Sequence, residues 1–89
     1  MIPQLLKKSF IDFHDTMIAN EILDPKTTFM IELGAAMAMG CYPCMEKLTG
    51  AAADKGVSEE ELGTIQAIVM AVGAGRVFNQ YNEVCERLK

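Results

Sequence analysis

The chain has 89 residues, of which 51% are hydrophobic, seven are Met and none is Trp. A lone domain of this size buries only about 60% of the surface its unfolded chain exposes. That is more apolar material than one small core hides, so a homo-oligomer is expected. The net charge is −4, and the eight Lys and Arg are scattered. No basic stripe exists for phosphates, which argues against nucleic acid as a partner. No uncharged stretch reaches the roughly 20 residues of a membrane span. The opening Met1-Ile2-Pro3-Gln4 does not read as a secretory signal, so the expected address is cytoplasmic. In a reducing compartment the three cysteines are expected as free thiols, metal ligands or a redox pair, not a disulfide framework.

Pro3 suits the first turn of a helix. Leu6, Phe10, Phe13 and Met17 recur at helical spacing, with Ile11, Ile18 and Ile22 beside them. This predicts an amphipathic helix over roughly residues 3–22. Asp24 can cap a second helix, and Pro25 fits its first position, where the missing N–H has no partner to lose. That helix should run to Met39 and stop at Gly40. From Phe29 onward its only charge is Glu32, so it reads as a buried core helix. Pro43 can open a third helix, running to about Lys55 and closed by Gly56. Ser58 and Glu61 have capping-box spacing. Glu59, Glu60 and Glu61 then occupy a first turn, where the helix dipole favours anions. Ile65, Ile68, Val69 and Val72 give the fourth helix its apolar face, and Gly73-Ala74-Gly75 is expected to end or kink it. A fifth helix, from about Arg76 to Leu88, carries Val77, Tyr81, Val84 and Leu88 on one side. No strand-like alternation occurs. The expected architecture is all-α: one domain over residues 1–89, a bundle of about five helices.

Cys41-Tyr42-Pro43-Cys44 carries the chemistry. A C-x-x-C pair brings two sulfurs close enough to form and break a disulfide. If Pro43 starts a helix, both cysteines lie at its N-terminus, where unpaired N–H groups and the dipole stabilise a thiolate. The thiolate is the species that attacks disulfides and peroxides. One cysteine would attack and the other would resolve the product. A structural zinc site needs four ligands. Only Cys85 and His14 could add to the pair, and neither has ligand spacing, so no metal is expected. Two inert, buried cysteines in a turn are the other alternative. Cys85 reads as a small apolar residue of the last helix. No glycine-rich phosphate loop after a strand is present, so no cofactor is expected.

The arrangement around these cysteines resembles the carboxymuconolactone decarboxylase family and its alkyl hydroperoxidase D-like members. The resemblance runs through Leu23-Asp24-Pro25-Lys26-Thr27-Thr28, an Ala-rich helix, Gly40-Cys41-x-x-Cys44 and a helix ending at Gly56. It continues through Val57-Ser58-Glu59-Glu60-Glu61-Leu62 and the glycine cluster at Gly73–Gly75. It covers roughly residues 5–80. It implies an all-α bundle that assembles into trimers or hexamers. It also implies a cysteine pair that reduces peroxides or exchanges disulfides with a thiol reductant, with Cys44 attacking and Cys41 resolving.

Two positions depart from that pattern. The redox members carry a Glu twelve residues before the first cysteine and a His four residues after the second. Here these are Phe29 and Leu48. The Glu and His relay a proton from the thiol, and general-base help is commonly worth about 10²–10⁴-fold. Glu32, one turn along the core helix, is the candidate substitute. A lone carboxylate on an apolar helix is costly to bury without a partner, so it is either a displaced base or the ion partner of Lys47 or Arg76. His14, beside Asp15, is the only histidine and a second candidate, although a solvent-facing role fits its polar face. Tyr42 could line the thiol pocket or simply pack. Three readings follow. The first is a thiol–disulfide oxidoreductase or weak peroxidase using Cys44, Cys41 and Glu32. The second is a non-catalytic oligomeric scaffold that has lost the relay. The third is a lactone decarboxylase, which would need an anion pocket from few basic groups.

Overall fold

A computed structural model describes all 89 residues. It contains four α-helices and no strand: α1 (Gln4–Ile18), α2 (Pro25–Met39), α3 (Tyr42–Ala51) and α4 (Glu59–Arg87), with a single 3₁₀ turn at Ala53–Lys55. The all-α expectation holds, and the count of five does not. Gly73, Ala74 and Gly75 lie inside one continuous helix of 29 residues. Gly inside a helix costs only about 1 kcal/mol relative to Ala, and neither glycine takes a positive φ. With no proline to remove a hydrogen bond, the ladder runs through.

The local signals explain most boundaries. Asp24 caps α2: its carboxylate accepts from the Thr27 N–H at 2.9 Å and from the Thr27 hydroxyl at 2.7 Å. Gly40 ends α2 in the left-handed region at φ 71°, where a side chain would be strained. Ser58 and Glu61 form the reciprocal capping box at 3.1 and 3.0 Å. The first helix stops at Ile18, four residues earlier than the spacing suggests. Asn20 is the cause. Its Oδ1 accepts from the Ile22 and Leu23 N–H groups, and its Nδ2 donates to Met17 O and Thr28 Oγ1. That side chain replaces the next helical turn and pins the α1–α2 loop to the start of α2. The third helix is also shorter than expected. It gives way to the 3₁₀ turn, which Gly56 closes at φ 72°.

Every other element packs on α2. Phe29, Leu33 and Ala36 from α2 meet Leu48 and Ala52, Val57, and Ile65 of α4 in one core, with Leu33 fully enclosed. That core is small: eight of 89 residues are buried, and α1 contributes none. The radius of gyration is 16.9 Å, against about 12 Å for a compact chain of this length. α4 is long and apolar enough to be compared with a membrane span. Its uncharged stretch, Leu62–Gly75 between Glu61 and Arg76, is about 21 Å long at 1.5 Å per residue. A hydrocarbon core is about 30 Å thick.

Candidate redox site at the start of the third helix

The turn between α2 and α3 fixes the two cysteines. After Gly40 reverses the chain, the Cys41 N–H donates to Ala36 O at 3.0 Å, and the Met45 N–H donates to Cys41 O at 2.9 Å to start α3. Cys41 is thus the N-cap residue of α3, Pro43 sits in the first turn, and Cys44 follows it. Tyr42 and Cys44 carry first-turn N–H groups that precede the helical ladder. The sulfurs are joined in a Cys41–Cys44 disulfide, with a Cα–Cα separation of 5.3 Å. Cys41 is half-buried against the core cluster, while Cys44 is exposed. The pair therefore has an outer residue, Cys44, and an inner one, Cys41. Tyr42, between them, is 79% exposed.

Phe29 and Leu48 are both buried in the core. The two positions where the redox pattern places Glu and His are apolar packing, and no carboxylate or imidazole fills that space from them. Glu32 and His14 meet instead at its edge. His14 Nε2 lies 3.5 Å from Glu32 Oε2, and His14 Nδ1 lies 3.4 Å from Asp15 Oδ1. Glu32 is the more enclosed carboxylate, its side chain 23% exposed. Its partner within 4 Å is thus the His14 imidazole, an ion pair only when protonated, in place of the Lys47 or Arg76 weighed from the sequence. Spacing along α1 and α2 could not reveal this, because the α1–α2 turn made by Asn20 brings the two together. Lys47 and Lys55 line the same cavity of about 220 Å³, over a floor of Phe29 and Leu48. Lys47 and Leu48 stand three and four positions after Cys44 on α3, so they share its face. Neither cysteine lines the cavity.

The remaining candidates lie elsewhere. Arg76 borders an apolar groove with Met37 and Val72 between α2 and α4. Cys85 is a free, exposed thiol near the end of α4, not a packed residue. No group of three or more His, Cys, Asp or Glu side chains is gathered as a metal site would need. Two carboxylates are held below their ordinary range, both at helix starts. Asp24 owes this first to the Thr27 hydroxyl and backbone bonds. Glu61 owes it first to the Ser58 N–H and then to Lys26, whose Nζ lies 2.9 Å away.

The comparisons agree with this architecture. No curated protein sequence matches the chain. A crystal structure of a protein from Methanobacterium thermoautotrophicum, a Northeast Structural Genomics Consortium target, superposes with a TM-score of 0.83 at 22% identity. The match covers 93% of this chain and 94% of that one. At that identity the likeness establishes the fold. The carboxymuconolactone decarboxylase family model matches residues 4–85, nearly the whole chain, and the protein belongs to that family.

Proposed function

We propose that this protein is a cytoplasmic thiol–disulfide oxidoreductase with weak peroxidase activity. The observation that carries the reading is the Cys41–Cys44 disulfide at the N-terminus of α3, with Cys44 an exposed residue and Cys41 a half-buried one. In the reduced form the Cys44 thiolate attacks the terminal oxygen of a hydroperoxide. The O–O bond breaks, Cys44 becomes a sulfenic acid, and the alkoxide leaves and takes a proton. The Cys41 thiolate then attacks Cys44 Sγ, forms the disulfide and releases hydroxide, which is protonated to water. An external dithiol reduces the bond and is itself oxidised. The same pair exchanges directly with a disulfide substrate.

Proton removal from Cys44 is the step that lacks the usual Glu and His, since Phe29 and Leu48 stand in their places. The α3 N-terminus favours the thiolate, and Glu32 with its His14 partner is the candidate base in place of the missing relay. A Cys41→Ser variant tests the assignment, because it traps the sulfenic acid. Treated with an alkyl hydroperoxide and a sulfenic-acid-specific probe, it should label at Cys44. Labelling no faster than free cysteine rejects the peroxidase step. Adding Glu32→Gln should slow labelling by about 10²–10⁴-fold if Glu32 serves as the base.

A second reading has its own support: Phe29 and Leu48 are packed in the core where relay groups would stand. On that reading the chain is a non-catalytic oligomeric scaffold, and the cysteine pair is inert toward peroxide. A lactone decarboxylase, the third reading, would keep its activity with both cysteines replaced by serine.

A further inference from the structure

We propose that the cavity between α1, α2 and α3 binds a small monocarboxylic acid with an apolar body. The inference goes beyond the redox reading and does not depend on it, since neither cysteine lines the cavity.

The first observation is where the free cations gather. Of the eight Lys and Arg, Lys8, Lys26, Arg87 and Lys89 each hold a carboxylate within 4 Å. Lys7, Lys47, Lys55 and Arg76 hold none. Lys47 and Lys55 stand at the same cavity, one from α3 and one from the turn that follows it. In a chain of net charge −4, this lining carries two Lys against the single carboxylate of Glu32. A cleft of one prevailing sign with low-dielectric walls concentrates its field on a ligand of the other sign.

The walls have that character. Phe29 and Leu48 are 4% and 8% exposed and form the floor, with Ile18 and Ala51 beside them. A bare inorganic anion would leave this apolar surface uncovered, whereas an organic acid would bury it. One buried polar group completes the site. Thr28 is 7% exposed and lines the cavity. Its Oγ1 accepts from Asn20 Nδ2 at 3.1 Å, which leaves its own proton to donate. The volume is about 220 Å³, below the roughly 300–1,000 Å³ of sites that take drug-sized ligands. The charge fits one carboxylate. A second would find no further lysine and would face Glu32, the more enclosed member of the His14 contact.

Amide NMR titration of the full, isotope-labelled chain tests this, with benzoate and hexanoate as probes. At least one should shift the amides of Thr28, Phe29, Leu48 and Ala51, with a Kd of about 1 mM or tighter, within the range of efficient small ligands. The matching amide, benzamide or hexanamide, and inorganic phosphate should each bind at least about tenfold more weakly, because each lacks one of the two features. Lys47→Gln with Lys55→Gln should weaken the acid at least about tenfold, as loss of a charge-assisted hydrogen bond does. Both lysines are exposed, so the core is left intact. Lys7→Gln, an unpaired cation away from the cavity, should change nothing. A variant with both cysteines changed to serine should bind as the wild type does, so a failed redox reading leaves this proposal standing. Absence of binding by both acids overturns it. So does equal binding of the amide, equal binding of phosphate, or an unchanged Kd in the double lysine variant.

Discussion

Reducing the Cys41–Cys44 bond should loosen the protein without unfolding it. The bond closes a loop of only four residues, Cys41 to Cys44. On the chain-entropy model that restricts the unfolded state by about 2 kcal/mol, against about 3 kcal/mol for a 15-residue loop. Reduction also frees a thiolate at the N-terminus of α3, where an anion gains about 0.3–1 kcal/mol. The two effects oppose each other, so the net loss should be about 1–2 kcal/mol. For a domain of this size 1 kcal/mol moves Tm by about 4–8 °C, which sets the expected drop at about 4–16 °C. The assay is a far-UV dichroism melt with and without a phosphine reductant. Protein concentration must be held fixed, because Tm depends on concentration wherever chains associate. A variant with both cysteines changed to serine should melt close to the reduced wild type. Unfolding on reduction, or a drop beyond about 25 °C, would make the bond a structural staple and refute its reading as a bond made and broken in use.

The other predictions concern the frame around the site. Leu33→Ala removes the one fully enclosed side chain and should cost about 2–5 kcal/mol, read as a lower urea midpoint with an unchanged slope. Ser58→Ala breaks the capping box of α4 and should cost about 1 kcal/mol in the same assay. Gly75→Ala should stabilise the chain by about 0.5–1 kcal/mol. A Cβ there meets nothing within 4 Å, and the change relieves the glycine penalty inside α4. In acid, Asp24 and Glu61 set the sign. Their folded-state pKa values are lowered, so their stabilisation is fully present above the unfolded carboxylate range, about pH 4. It is lost as pH falls through the lowered values. Denaturant midpoints should therefore drop below about pH 4, and Asp24→Asn with Glu61→Gln should flatten that limb.

Much of this fold is written in local signals. Asp24-Pro25, Gly40, Pro43, Gly56 and Ser58 with Glu61 each mark a boundary that the structure keeps, because caps and left-handed turns act over a few residues. Gly73-Ala74-Gly75 misleads for the opposite reason. A glycine inside a helix is a modest penalty, and it breaks the helix only where a turn also demands a positive φ. Asn20 was not legible as a stop, since its four hydrogen bonds depend on the loop it creates. The cysteine pair and its place at a helix start could be read directly. The His14–Glu32 approach could not, because it joins residues 18 positions apart across that same loop. The excess of apolar residues over core was visible in composition. Its concentration on α1 and the outer half of α4 needed coordinates.

Cys41 and Cys44 are proposed to cycle between dithiol and disulfide despite Phe29 and Leu48. Intact-mass analysis with peptide mapping, during titration of the reduced protein with a slight excess of peroxide, tests it most directly. Rapid loss of two hydrogens, mapped to a Cys41–Cys44 bridge and reversed by a dithiol, is the expected result. Thiols that persist, or that oxidise no faster than free cysteine, would contradict it and leave a non-catalytic scaffold as the better description.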